Sequence, residues 1–210
     1  MTITVFVWMP IASVNREQRS VGHASLHLAT KKVYISFWPE EGSYGPAVGH
    51  NMGADRAGES GRLPDYASAP ITLDEDAVLA YWKKVKVGSR TVPYHGGASN
   101  MASRADADTY EIFGKNCSKI VLDCLIAGGA LNNNRIRTLY DDAATITPLD
   151  IRQIAEILAG ERGSVGGANF PIADSLMDKA RNAGTNFLVY REYVKKAVLG
   201  AAIDSVKKPR

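Results

Sequence analysis

The sequence predicts an α+β fold, with a small antiparallel sheet in the front half, a central helix bearing Cys117, and a helical extension at the C-terminal end. Three observations lead there. Residues 2–8 are β-branched and aromatic, and residues 23–28 alternate polar with apolar, the period of a strand with two unlike faces. The stretch opened by Cys117 carries Ile120, Val121, Cys124, Leu125 and Ile126 at helical spacing and stops at Gly128-Gly129. Thr147-Pro148-Leu149-Asp150 is a helix start, with Thr as cap, Pro in the first position and Asp in the first turn.

In chain order, the first strand closes at Pro10 and a polar loop follows through Ser20. Val21–Ala29 and Val33–Trp38 form a hairpin across Thr30-Lys31-Lys32. Ala24, Leu26 and Leu28 share one face, while His23, Ser25 and His27 share the other. An even-numbered loop places Tyr34, Ser36, Trp38 and Glu40 on the His23 face; an odd one reverses this. From Pro39 to Pro70 the chain is rich in Gly, Pro, Asp and Ser and reads as a long surface loop. Ile71–Leu73 reads as a short strand or as a lead-in to the helix that Asp74 caps, which runs through Val85 and ends at Gly88. Residues 89–109 read as irregular, and Tyr110–Phe113 as a brief extended segment. A loop through Asn132-Asn133-Asn134 precedes the Thr147 helix, whose buried stripe is Ile151, Ile154, Ile157 and Leu158. Two further helices are expected, over about 171–182 and 185–206, after a flexible joint at Gly163–Gly167.

Composition sets bounds on function. The chain has 210 residues, enough for a full core, and a formal charge of +3 with scattered Lys and Arg, which argues against nucleic acid. No apolar run reaches membrane-spanning length, and the first residues read as a strand, not a signal peptide. The expectation is synthesis in the cytoplasm, with any action elsewhere requiring a dedicated export system. The two cysteines, Cys117 and Cys124, lie two turns apart on one helix and cannot pair without breaking it. The four histidines lack ligand spacing, so neither a zinc site nor any other cofactor is expected.

Chemistry centres on Cys117. A thiol at a helix start feels unpaired N–H groups and the positive end of the dipole, which favour the thiolate. A thiolate nucleophile needs a base within hydrogen-bond reach and a group that orients that base. His23 is favoured as the base, because Gly22 beside it admits a close approach by another backbone or a substrate. His27 lies nearer the turn and is expected to be exposed. His50 and His95, in Gly-rich loops, are expected to face solvent.

Gly22-His23-Ala24-Ser25-Leu26, then Tyr34-Ile35-Ser36-Phe37-Trp38-Pro39, then Asn116-Cys117-Ser118 opening a helix, resemble the circularly permuted papain-like group. That group includes permuted relatives of the NlpC-type cell-wall amidases, desumoylating-type thiol peptidases and lecithin retinol acyltransferase-like enzymes. The motifs are also similar to bacterial type VI secretion effectors of this fold. The resemblance covers about residues 2–130. It implies a catalytic domain over 1–145 and a helical extension over 146–210, packed on or next to that domain.

It further implies Cys117 as nucleophile, His23 as general base and the Cys117 N–H as part of an oxyanion hole. By motif position Ser36 becomes the third member, accepting the imidazole N–H; Glu40 is the alternative if the hairpin extends that far. The acyl transferases carry a second His where this chain reads Ile35-Ser36, which counts against lipid acyl transfer. The expected activity is therefore hydrolysis of an amide bond in bacterial cell-wall peptide or in a protein. Secretion-apparatus or immunity proteins are the partners implied. Acyl transfer by the same thiol, transglutaminase-like chemistry, and a non-catalytic binding module remain open alternatives. A stripe of Leu188, Val189, Tyr193 and Val194 reads as core or as a partner surface.

Overall fold

A computed structural model describes residues 1–11, 20–42, 44–88, 101–102, 105–141 and 146–160, all within one compact unit, Met1–Gly163. His95, the joint at Gly163–Gly167, the two last expected helices and the Leu188 stripe lie outside the described residues. The architecture is mixed α+β, with two small sheets and five α-helices among the described residues.

The β-branched run forms β1 (Thr2–Trp8), antiparallel to β2 (His23–Leu28), with Ile3 opposite Leu28 and Trp8 opposite His23. β2 pairs in turn with β3 (Val33–Ile35), Leu26 opposite Ile35 and Leu28 opposite Val33. The connection 29–32 has an even number of residues. Tyr34, Ser36 and Trp38 therefore come to the face of His23, the first of the two registers that the hairpin allowed. At Ser36 the chain leaves this sheet. β4 (Phe37–Pro39) pairs with β5 (Tyr44–Gly49) and opens the second sheet.

A helix follows where a surface loop was expected. α1 (Met52–Gly58) is capped by the Asn51 side chain, which accepts from the Ala54 N–H at 2.8 Å. The stretch 39–70 thus holds a strand, a helix and the short strand β6 (Tyr66–Ala67), which with β7 (Ile71–Thr72) pairs to the other edge of β1. Periodicity missed α1 because Met52, Ala54 and Ala57 give it no apolar stripe.

α2 (Glu75–Trp82) is capped by Asp74 as expected, through the N–H groups of Asp76 and Ala77, but ends three residues before Val85. Val87 and Gly88 instead form β8, which joins β9 (Met101–Ala102) and β5 in parallel; β10 (Thr109–Glu111) lies antiparallel on β5. α3 (Cys117–Ala127) is followed by a 3-10 turn at Ala130–Asn132 and, in place of the loop expected there, by α4 (Asn134–Asp141). α5 (Pro148–Leu158) starts with a capping box, Thr147 and Asp150 each satisfying the other's backbone N–H.

The core lies between the first sheet and two helices. Ile3, Val5, Val7, Ala24, Leu26 and Leu28 are fully buried on one sheet face. α3 packs on β2, and α5 packs on β1 and α3, burying Ile120, Leu122, Leu125, Ile151 and Ile154. At the far end of the sheet Glu75 is a buried anchor, accepting main-chain N–H groups from Thr2, Thr30 and Lys31. No described helix is long and apolar enough to cross a membrane.

Candidate active site

The polar face of β2 is also buried, which a half-solvated hairpin would not be. Along it His23 and Ser25 are as sequestered as the apolar residues, while His27 is half-buried and outside the network described next. What covers His23 is a carboxylate that the sequence reading missed, Asp55 on α1.

Asp55 is fully buried and each of its oxygens has two donors. Oδ1 accepts from Ser36 Oγ and Trp38 Nε1, both at 2.7 Å. Oδ2 accepts from Tyr34 OH at 2.6 Å and meets His23 Nε2 at 3.1 Å. Proton bookkeeping extends the chain by one residue. Because Tyr34 donates to the carboxylate, its oxygen accepts from Ser25 Oγ, 2.6 Å away. Ser36, expected as the third member, stands 3.1 Å from His23 Nε2 but gives its own proton to Asp55. The carboxylate at His23 is therefore Asp55 and not Glu40, with Ser36 bridging the two.

The imidazole is also packed by aromatic rings. Trp38 lies 4.5 Å from it and Trp8 5.5 Å, centroid to centroid, with planes tilted by 33° and 42°, near enough for each indole to favour a cation on the ring. His50, expected in solvent, stacks on Trp38 at 5.3 Å and brings Nδ1 to 3.4 Å from Asp55 Oδ1 without hydrogen-bond alignment. Gly22 explains the close approach at this end of β2. Its φ is +80°, and a Cβ there would meet the Trp8 carbonyl oxygen at 2.6 Å. The neighbour that needs the space is backbone.

Cys117 comes to this end of β2 on the helix α3, which packs on that strand. Asn116 caps α3 by accepting the Lys119 N–H at 2.8 Å. Its amide donates to the carbonyls of Ile112, at 2.8 Å, and Ile146, at 3.2 Å, so three segments hold the helix start. Cys117 is then the first helical residue, 4% exposed, with the Ser118 hydroxyl 3.9 Å from its sulfur, and it is near enough to His23 for each to act on the other's charge.

Electrostatics separates the two cysteines. Burial raises the pKa of both, but at Cys117 the charge of His23 overrides it, helped by the Ala24 N–H and the Ser118 hydroxyl, and the thiol is pushed down. Cys124, two turns along the same helix, has burial and Asp123 acting together, and its thiol is pushed well up. Burial also works against the His23 cation, yet Asp55 and Cys117 outweigh it and raise its pKa to about 10. Asp55 is held well below the carboxylate range despite burial, chiefly by His23. The shifts favour the charged forms of His23 and Asp55 and move Cys117 toward thiolate.

Among the described residues no group of three or more His, Cys, Asp or Glu is arranged to hold a metal ion. Comparison with protein-family profiles, curated proteins and solved structures finds no match to this chain. The site is thus read from its own geometry. Sequence reasoning brought forward Cys117, His23 and Ser36, and the fold brings all three together. It missed Asp55, whose available signal was Asn51 as a helix cap four residues ahead of it.

Proposed function

We propose that this protein is a cysteine-dependent amide hydrolase with a permuted papain-like core, using Cys117 as nucleophile, His23 as acid and base, and Asp55 to orient His23. One observation carries the reading: the imidazole is bound at Nε2 by a buried carboxylate, while the neighbouring thiol at a helix N-terminus is shifted toward thiolate. The chain order, His on a hairpin before Cys on a helix, supports the permuted arrangement.

The thiolate attacks the carbonyl carbon, forming a C–S bond while the π pair moves onto oxygen. Collapse of that intermediate breaks the C–N bond, and His23 gives its proton to the departing amine. Water enters, His23 takes its proton, and hydroxide attack on the thioester releases the acid and returns the thiolate. Asp55 keeps the ring oriented through both transfers and offsets its charge. Ser36, Tyr34 and Trp38 hold Asp55 in turn.

The first substrate proposed is bacterial cell-wall peptide and the second a protein amide or isopeptide bond, with the protein acting as a secreted effector toxin. Incubating wild type and Cys117→Ala with purified peptidoglycan, followed by mass analysis, tests the first. Fragments released by wild type alone support it; identical profiles remove the cell-wall substrate. Cys117 in wild type should also be alkylated by iodoacetamide faster than in the denatured chain, and an equal rate would remove the nucleophile itself.

A further inference from the structure

His50 stands between β5 and α1 and has no part in the hydrolytic steps above. Its ring stacks on Trp38, with centroids 5.3 Å apart and planes 23° apart, and both rings bring a nitrogen to the same oxygen of Asp55. Trp38 Nε1 donates to Oδ1 at 2.7 Å, whereas His50 Nδ1 stops at 3.4 Å, buried and without a hydrogen-bond partner. A lone pair that close to a buried carboxylate would be repelled, so the proton of the neutral ring belongs on Nδ1. Nε2 is not sealed in, and the side chain is 11% exposed, which leaves water to serve that nitrogen. A buried N–H beside Asp55 is thus unused in the free protein, and such a donor has a reason to be there.

Turnover supplies the reason. Of the side chains bonded to Asp55, Tyr34, Ser36 and Trp38 are uncharged donors, and His23 alone brings a positive charge. While His23 is a cation the carboxylate is balanced. To take the proton of the incoming water His23 must first be neutral, and Asp55, fully buried, then holds its charge among uncharged donors only. That is the costliest state for a buried anion. We propose that His50 is a positioning residue for Asp55, which turns its Nδ1–H onto Oδ1 in the acyl-enzyme and steadies the carboxylate while His23 is neutral. The ring pivots within its stack on Trp38 and keeps its proton. The O–H bond of water still breaks toward His23, hydroxide still attacks the thioester carbon, and the C–S bond still opens to the thiolate. His50 thereby favours neutral His23 in the acyl-enzyme and is idle in the free protein.

This rests on the hydrolase reading, and the two steps of one reagent distinguish their failures. p-Nitrophenyl acetate acetylates the thiolate, and its phenolate departs without a proton, so His23 stays charged through that step. Loss of the acetyl group to water needs His23 neutral. His50→Phe keeps a ring on Trp38 and removes both nitrogens, and its melting temperature checks the fold. Intact mass follows each step at Cys117. The expected result is acetylation at the wild-type rate and deacetylation about 10-fold slower, the scale of one hydrogen bond to a charged group. Equal deacetylation rates overturn the assignment and leave the hydrolase reading standing. Equal losses in both steps also overturn it, since His50 would then serve the site of the free protein. If wild type gains and loses acetyl at Cys117 no faster than the unfolded chain, the hydrolase reading fails and the assignment with it.

Discussion

Asp55 decides the state of His23, and its removal is the sharpest test at the level of single residues. In Asp55→Asn the ring loses its charged partner and sheds its proton, and Cys117 loses the cation that favours thiolate. Alkylation of Cys117 at neutral pH should fall, and amide hydrolysis by about 10²-fold. Ser36→Ala, which leaves the carboxylate in place, should cost clearly less; an equal loss would make Ser36 the orienting group. In wild type the alkylation limb should lie below the ordinary thiol range, because the Cys117 pKa is lowered, whereas Cys124 should stay unmodified until the chain unfolds. The same pair shapes stability. His23, raised from 6.5 to about 10, contributes fully below about pH 6.5 and loses its contribution as pH rises through about 10. Asp55, lowered from 3.8, contributes above that value and loses its contribution as pH falls through its folded value. Thermal melts across pH should show both flanks in wild type and a weaker one on each side in Asp55→Asn, where Glu75 still supplies an acid flank and Cys117 alone still favours the His23 cation.

Helix starts and strand pairings carry the site, and they differ in how far local sequence reveals them. The caps Asp74, Asn116 and Thr147 were legible because a short polar side chain bonding N–H groups two or three residues ahead is a local event. Thr147→Ala should therefore cost about 1 kcal/mol in chemical denaturation. α1 was not legible, since it packs by the polar bonds of one Asp and has no apolar stripe to announce it. Glu75 is a similar case. Burial works against its charge, but the Thr30 side chain and the N–H groups of Lys31, Thr30 and Thr2 prevail and lower its pKa. Its contribution is present above the usual glutamate value, 4.5, and lost as pH falls through the folded value. Glu75→Gln should lower stability at neutral pH by about 2 kcal/mol, a loss that shrinks in acid.

On the scale of the molecule, α5 belongs to the packing that supports the site. Its buried Ile151, Ile154 and Ala155 face β1 and α3, and the Ile146 carbonyl just before it accepts from Asn116 at the start of the nucleophile helix. A chain ending at Gly163 should melt cooperatively and keep a reactive Cys117. A chain ending at residue 145 should do neither, because losing each buried Ile costs about 2–5 kcal/mol. Circular dichroism with alkylation of both truncations checks this, and a folded, reactive shorter chain would contradict it.

By itself the sequence determined the class of fold, the first strand, the hairpin with His23, and Cys117 at the head of a helix, since each depends on the residues within one element. It left the hairpin register open between two faces, and the even connection 29–32 settled that. Only the tertiary structure decided the partner of His23. The distance along the chain from His23 to Asp55 is 32 residues, and a buried carboxylate makes no periodic signal; it shows itself when Tyr34, Ser36, Trp38 and His23 arrive around it. The contrast between Cys117 and Cys124 has the same origin. Two thiols on one helix face equal burial, and a charge supplied by another strand lowers the pKa of one alone.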